Sequence, residues 1–465
     1  MSMMKGFSNA FRIPELRKKI LITLGLVFVC RLVSQIPTPG VDWQSLQKVI
    51  ETARETSGGG GLLDWFNVFT GGALDQCAIG FLSIWPYISA QIVIQLLSSV
   101  VPALEKLKKE GETGRQQLAQ ITRYLTIVLC VVQSWGIATM LSHPGALGQA
   151  FAGVEIVANP GLGFNLMTVI GMTSAALFVM WLADQITAFG VGNGASLIIM
   201  INITSRLPEA LLMAWERYFG LGGVQASAPI AELPILVIFF LLVVMGTVML
   251  TQGVRKVPIH TTRRSAGGGN TYGMQQTFMP LRVNYTGVMP IIFAQPLIQI
   301  PSALLMKVTD PTSTGFSGAL NRFAQDLSNP TALHLVVYAA LIMFFAFFWV
   351  ATQFNAIDIS ENLKKDGSYI PGIRPGRATA EFLDDTMTKI TLIGGSGLLV
   401  VALIPMLLMG WMSVPFAIAS FFGGTSLLIV VGVALDTLRV MESHLLVRKY
   451  DGFLAHGSIR GRGGV

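Results

Sequence analysis

Apolar runs of bilayer-crossing length recur along the whole chain, near 20–36, 78–101, 124–141, 162–183, 233–250, 287–306, 333–351, 390–408 and 414–435. About 20 such residues cross the hydrocarbon as a helix, the one single-segment structure that satisfies its own backbone N–H and C=O groups in lipid. A tenth stretch, 191–212, is short and carries Gly192, Asn193, Gly194 and Pro208. Of the 465 residues only 12% are charged. A soluble chain of this length carries about 25% and could not cover itself with so few. The expectation is therefore an all-α membrane protein of ten transmembrane helices.

The distribution of positive charge sets the orientation. With ten spans, the even-numbered connections and the two ends hold twenty-five Lys and Arg, and the odd connections hold six: Lys48, Arg54, Arg206, Arg217, Lys307 and Arg322. Basic residues stay on the cytoplasmic side during insertion, which predicts that both termini face the cytoplasm. Dropping the short span would put basic loops on both faces. The basic N-terminal segment leads into an apolar run with no small-residue cleavage pattern and reads as a retained first span rather than a signal peptide. Cys30, Cys77 and Cys130 lie in or beside apolar stretches without metal-ligand or disulfide spacing.

Internal repetition is the most informative pattern. Laying 85–95 over 289–299 aligns Pro86 with Pro290, Ile88 with Ile292, Ala90 with Ala294, Gln91 with Gln295, Ile94 with Ile298 and Gln95 with Gln299. Laying 193–200 over 423–430 aligns Gly194 with Gly424, Ser196 with Ser426, Leu197 with Leu427 and Ile199 with Ile429. Both alignments pair a span with the one five further on. Five is odd, so two five-helix copies would insert in opposite directions, an inverted repeat. The expected organisation is a first half over 1–212, a second half over 213–435 with long loops at 251–286 and 355–389, and a tail over 436–465.

The repeated spans also hold Gly, Pro and amide side chains inside apolar runs. Such groups are costly against lipid and belong against one another or a water-filled space, a central pore. Ion-coupled transport needs a charged group in that space, and the candidate lining holds none: Arg31, Asp184 and Asp436 lie toward span ends, and His334 opens a span. Symmetry instead sets Ile88 against Ile292 and Ile199 against Ile429. An aliphatic constriction excludes hydrated ions by dewetting yet yields to a passing chain. A secondary transporter for a small solute, which also uses inverted repeats, is the alternative. Gly394-Gly-Ser-Gly397 resembles the motif of intramembrane serine proteases, but no His lies in a following span to act as its base. No phosphate-binding loop motif occurs, so no cofactor is expected and any driving force comes from a partner.

Seven stretches together carry a family resemblance: Phe66-Asn-Val-Phe-Thr-Gly-Gly-Ala-Leu74, Pro86-Tyr-Ile-Ser-Ala90, Lys108-Lys-Glu-Gly-Glu-Thr-Gly-Arg115, Gly190-Val-Gly-Asn-Gly-Ala-Ser196, Asn362-Leu-Lys-Lys365, Ile370-Pro-Gly-Ile-Arg-Pro-Gly376 and Gly423-Gly-Thr-Ser-Leu-Leu-Ile-Val-Val431. The chain resembles, almost end to end, the bacterial branch of the SecY/Sec61-alpha family, the large channel subunits of the Sec protein translocase. The resemblance implies a channel that passes unfolded secretory polypeptides across the bacterial plasma (inner) membrane and releases membrane segments sideways into lipid. It implies a pore ring of Ile84, Ile88, Ile199, Ile292 and Ile429, with a sixth family position on the smaller Ala195. It implies a plug over about 62–77, including Phe66, Asn67, Gly71 and Gly72, and a lateral gate near Gln95, Gln133 and Gln295. Docking of the ribosome and the SecA motor falls to the two long loops, with Arg255, Lys256, Arg263, Arg264 and Arg374. The family's Glu-Arg-Gly at the first of these loops is Thr251-Gln252-Gly253 here. The small subunits SecE and SecG, signal peptides, nascent chains and membrane lipid complete the implied partners.

Overall fold

The computed structural model describes residues 13–42, 44–47, 67, 70–143, 156–220, 229, 231–261, 276–309, 315–329, 331–412, 414–415, 418–419, 421 and 425–456. Its helices are α1 (Pro14–Val33), α2 (Trp85–Val100), α3 (Pro102–Lys109), α4 (Glu112–Ser142), α5 (Leu162–Phe189), α6 (Gly194–Ser205), α7 (Leu207–Phe219), α8 (Glu232–Gln252), α9 (Met289–Val308), α10 (Phe316–Ser328), α11 (Ala332–Gln353), α12 (Ala356–Lys365), α13 (Arg377–Met412) and α14 (Thr425–His456). Nine of the ten expected spans overlap one of these helices over most of their length or, for the short fifth span, the pair α6 and α7; of the last, 414–435, only the second half falls in α14, and part of the rest lies outside the described residues. Among the described residues eight helical stretches are long and apolar enough to cross a membrane. The remaining two spans, α1 and α14, carry more charge: Arg17, Lys18, Lys19 and Arg31 in α1, and Asp436, Arg439 and Glu442 in α14.

Several helices overrun the apolar runs that announce them. At 1.5 Å per residue, the 31-residue α4 and 36-residue α13 are longer than a hydrocarbon core of about 30 Å, so their polar first turns stand clear of lipid. α8 exposes Ile238, Leu241, Leu242, Met245 and Met249 along one face, an apolar surface suited to lipid.

The described parts of the spans are mainly helical, but the two long loops contain a small sheet that the sequence reading did not anticipate. β1 (Val254–Thr261) pairs antiparallel with β2 (Gln276–Arg282) and, at its far end, with β3 (Ser368–Tyr369), in the order β2-β1-β3. Pro258 removes a donor from β1, which is tolerated because β3 meets β1 only at His260 and Thr261. Val257, Ile370, Leu383 and Met387 bury the underside of this sheet together with Leu281 and Val350.

The chain divides into two compact units. One comprises 1–59, 63–208 and 433–465; the other comprises 60–62 and 209–432. In the first, Cys130, Met172 and Ala176 centre a cluster joining α4 and α5. In the second, Ile291, Ala294 and Ile298 of α9 pack with Tyr338 and Ile342 of α11 and Leu398, Ala402 and Leu428.

The glycines of the repeated and protease-like motifs serve close packing. A Cβ on Gly194 would strike the Ala183 carbonyl of α5, and Asn193 caps α6 by accepting from the Ser196 N–H at 3.2 Å. Gly394, Gly395 and Gly397 face the Val283 carbonyl, Met343 and Leu250 respectively. The Ser396 hydroxyl donates to the Ile393 carbonyl of its own helix at 2.9 Å and is exposed.

Candidate functional site

The two repeated entrances match in local geometry as well as in residues. In the first copy Ser83 has φ +46°, Ile84 caps the helix at φ −90°, ψ 0°, and Pro86 occupies the first turn of α2. In the second copy Gly287 has φ +62°, Val288 caps at φ −95°, ψ −3°, and Pro290 occupies the first turn of α9. The first turns close alike, Ile88 N–H to Ile84 C=O at 3.1 Å and Ile292 N–H to Val288 C=O at 3.3 Å. Proline fits a first turn because its missing N–H has no partner there.

Ile84, Ile88 and Ile199 belong to the first unit and Ile292 and Ile429 to the second; none is more than 9% exposed. Ala195 is half-buried. α9 differs from α2 in carrying Pro296 and Pro301 inside the helix. Pro296 leaves the Ile292 carbonyl without its i+4 donor, and Pro301 does the same to Leu297, each at a cost of about 3 kcal/mol in a regular helix.

The segment before α2 is tied to two other helices by polar side chains. Of the expected plug residues, Phe66 lies outside the described residues; Asn67 is buried and donates to Asp75 Oδ1 at 2.8 Å. Gly71 and Gly72 have φ +68° and +89°, which L side chains rarely adopt. The Gly71 carbonyl accepts from Arg31 Nη2 of α1 at 3.2 Å and, at 3.5 Å, from the Ser205 hydroxyl of α6. Arg31 Nη1 donates to Asn202 Oδ1 at 3.4 Å, and Asn202 Nδ2 donates to the Ser83 hydroxyl at 3.0 Å. Arg206, between α6 and α7, pairs with Asp75 at 2.7 Å. At the other end of the segment the Cys77 carbonyl accepts from the Thr38 hydroxyl at 2.6 Å and from its N–H at 3.0 Å, and Pro37 bridges Ala78. Burial pushes the Cys77 thiol up to about 11, which keeps it protonated at neutral pH.

Arg31 and Asp184, expected toward span ends, lie near the ends of α1 and α5 and are both engaged: Arg31 on Gly71 and Asn202, Asp184 with Arg123 of α4 at 2.8 Å. Asp75 and Asn202 drew no attention in the sequence, and Arg206 counted there only as a loop charge. A polar residue three positions past a repeated isoleucine was the available signal for Asn202.

The expected gate glutamines lie on three helices. Gln95 is on α2 and Gln133 on α4, which pack against each other in the first unit, and Gln295 is on α9 in the second. The Gln133 Oε1 is buried without a partner. Gln299, one turn beyond Gln295, exchanges hydrogen bonds with Ser328 of α10, at 3.4 Å to its carbonyl and 3.2 Å from its hydroxyl.

Of the expected docking residues, Arg263 and Arg264 lie outside the described residues. Arg255 and Lys256 are exposed on β1. Arg374 is exposed on a turn fixed by Gly372 at φ +81° and Gly376 at φ +101°, and its carbonyl accepts from the Thr379 hydroxyl at 2.9 Å. The sheet joins the two loops, because β3 lies just before that turn and pairs with β1.

The family model of SecY matches residues 78–438. This chain belongs to the SecY family. Protein translocase subunit SecY of Streptomyces scabiei is 40% identical over 453 residues, spanning 97% of this chain and 100% of the relative. The Escherichia coli K12 subunit is 37% identical over 450 residues, 97% of this chain and 96% of the relative. A solved protein-conducting channel aligns over 97% of this chain and 98% of its own, with a TM-score of 0.59 at 17% identity. Sec61 from the canine ribosome–channel complex of the endoplasmic reticulum aligns with a TM-score of 0.57 at 16% identity. These likenesses carry the SecY fold of ten spans to this chain.

Proposed function

We propose that this SecY-family chain is a protein-conducting channel that passes unfolded polypeptides across a bacterial plasma membrane and releases apolar segments sideways into lipid. One observation carries the reading: isoleucines at equivalent positions of two repeated, similarly capped helices are all buried. In this reading Ile84, Ile88, Ile199, Ile292 and Ile429 form a ring around a central pore, which shuts out hydrated ions by dewetting and parts around a chain of any sequence. The segment about 62–77 is the plug beside it on the outer side. Gln95, Gln133 and Gln295 hold the lateral gate through amide hydrogen bonds that exchange when a signal peptide, whose apolar core prefers lipid, intercalates.

Both termini and the two loops joined by the small sheet face the cytoplasm, in keeping with the bias of positive charge. Arg255, Lys256, Arg263, Arg264 and Arg374 then offer cations to ribosomal RNA phosphate and to the SecA motor. The chain supplies a path rather than a reaction, so energy comes from the motor or the ribosome, and SecE and SecG are its expected membrane partners. The test is resting ion conductance of the reconstituted complex. Ile292→Asn and Ile429→Asn hydrate the constriction and raise the leak; unaltered conductance in both contradicts the ring. Ion-coupled uptake of a small solute by the chain alone contradicts the whole reading.

A further inference from the structure

The stretch Gly394-Gly-Ser-Gly397 of α13 belongs to none of the ring, gate or docking residues, yet it stands where the sheet of the two long loops runs into α9. Resting on the reading of those loops as the docking surface, we propose that Gly394 of α13 and Gly432 of α14 are positioning residues. They seat the connector Val283–Val288 so closely that the sheet and the ring-bearing turns of α9 and α14 move as one body, and a motor docked on the sheet carries Ile292 and Ile429 with it.

One face of α13 receives everything that comes down from the loops. Ala380, Leu383, Met387 and Ile390 recur at intervals of three and four, which sets them on one side of the helix, and all are buried in one cluster with Val257, Leu281 and Ile370. Val283 packs against the same cluster. The spacing continues through Gly394 to Gly397. At Gly394, about 21 Å along the helix from Ala380, side chains give way to bare backbone. A Cβ there would strike the Val283 carbonyl, and one on Gly397 would strike Leu250 of α8. Small residues allow this approach of backbone to backbone.

The connector is held at both ends. Val283 N–H donates to the Gly253 carbonyl at 2.8 Å, one step past the last β1–β2 pair, and Gly253 N–H donates to the Met249 carbonyl of α8 at 2.9 Å. Between the ends the Thr286 hydroxyl donates to Asn284 Oδ1 at 3.3 Å, and both residues are buried. At the far end Val288, the cap of α9, has its Cγ1 3.7 Å from where a Cβ on Gly432 would stand. Val288 lies four residues before Ile292 and Gly432 three after Ile429, so this contact is one turn from each ring position. Elements packed this closely shift together rather than deform.

The experiment uses the chain reconstituted in vesicles with its native membrane partners and reads SecA binding separately from translocation per bound motor. Gly394→Ala displaces the Val283 carbonyl: binding stays at the parental level while translocation per bound motor falls about tenfold. A parental rate per bound motor overturns the seat. Should Gly394→Ala insert poorly, a staple decides. Val288→Cys with Gly432→Cys, in a background without the native cysteines, places two thiols within disulfide reach. One body predicts the same translocation rate oxidised as reduced. Failure of the disulfide to form, or a fall on oxidation that reductant reverses, shows that α9 and α14 part at this point and overturns the proposal. Arg374→Glu reports on the docking reading itself. If it lowers SecA binding while Gly394→Ala translocates normally, docking stands and the seat is wrong. If it leaves binding and secretion unchanged, the docking reading fails and the seat's role falls with it.

Discussion

The two repeated entrances, Ser83–Gln95 and Gly287–Gln299, share a backbone and differ in what surrounds it. Both place a positive-φ residue, an αR cap and a first-turn proline in the same order. In the second copy the positive-φ position is glycine, which adopts it freely. In the first it is Ser83, whose strain is offset by the hydrogen bond from Asn202. The repeat equivalent of Asn202 is Gly432, which offers no side chain, and that of Arg206 is Asp436, of opposite charge. The first copy thus has polar groups that hold a segment, while the second has proline-broken turns that weaken a helix. The shared backbone therefore carries different chemistry in the two copies.

The largest expected effect breaks the shared part. Asn at Ile292 or Ile429 raises resting leak more than any other change, because it wets the proposed constriction itself; planar-bilayer conductance checks it. Next comes a loop outside both copies' entrances. Arg374→Glu abolishes most motor-driven secretion from inverted vesicles while the protein remains folded and inserted, and secretion at the parental rate removes the docking role of that turn. A smaller change sharpens the contrast between halves. Pro296→Ala gives the Ile292 carbonyl its donor back and stiffens α9 by up to about 3 kcal/mol, so weak signal peptides open the channel less readily; secretion with graded signal sequences reads this. Smallest is Ser396→Ala, which deletes only a bond within α13 and leaves translocation unchanged; loss of function there would reopen an enzymatic role.

Much of this was legible because membrane folds announce themselves through long apolar runs and charge bias, and because Pro86 with Pro290 and Ile88 with Ile292 align by simple superposition. The sheet was not. Val254–Thr261 and Gln276–Arg282 contain prolines and charges that read as loop, and what makes them strands is a packing surface from α13 and β3 distant in sequence. The polar cluster around Gly71 was missed for a related reason. Arg31 and Arg206 look like ordinary span-end cations, and only the folded chain brings them, with Asn202 and Asp75, onto one short segment. Of the proposed docking cations, Arg255, Lys256 and Arg374 stand exposed, while Arg263, Arg264 and Phe66 of the proposed plug fall outside the described residues.

The central claim is that residues from both copies line one path for a polypeptide. The direct measurement is crosslinking of a stalled secretory chain to cysteines placed at Ile88 and at Ile292. The account predicts adducts at both positions from the same stretch of the stalled chain, and none at Ile238 on the lipid-suited face of α8. Crosslinks at neither isoleucine, or equally at Ile238, would contradict it.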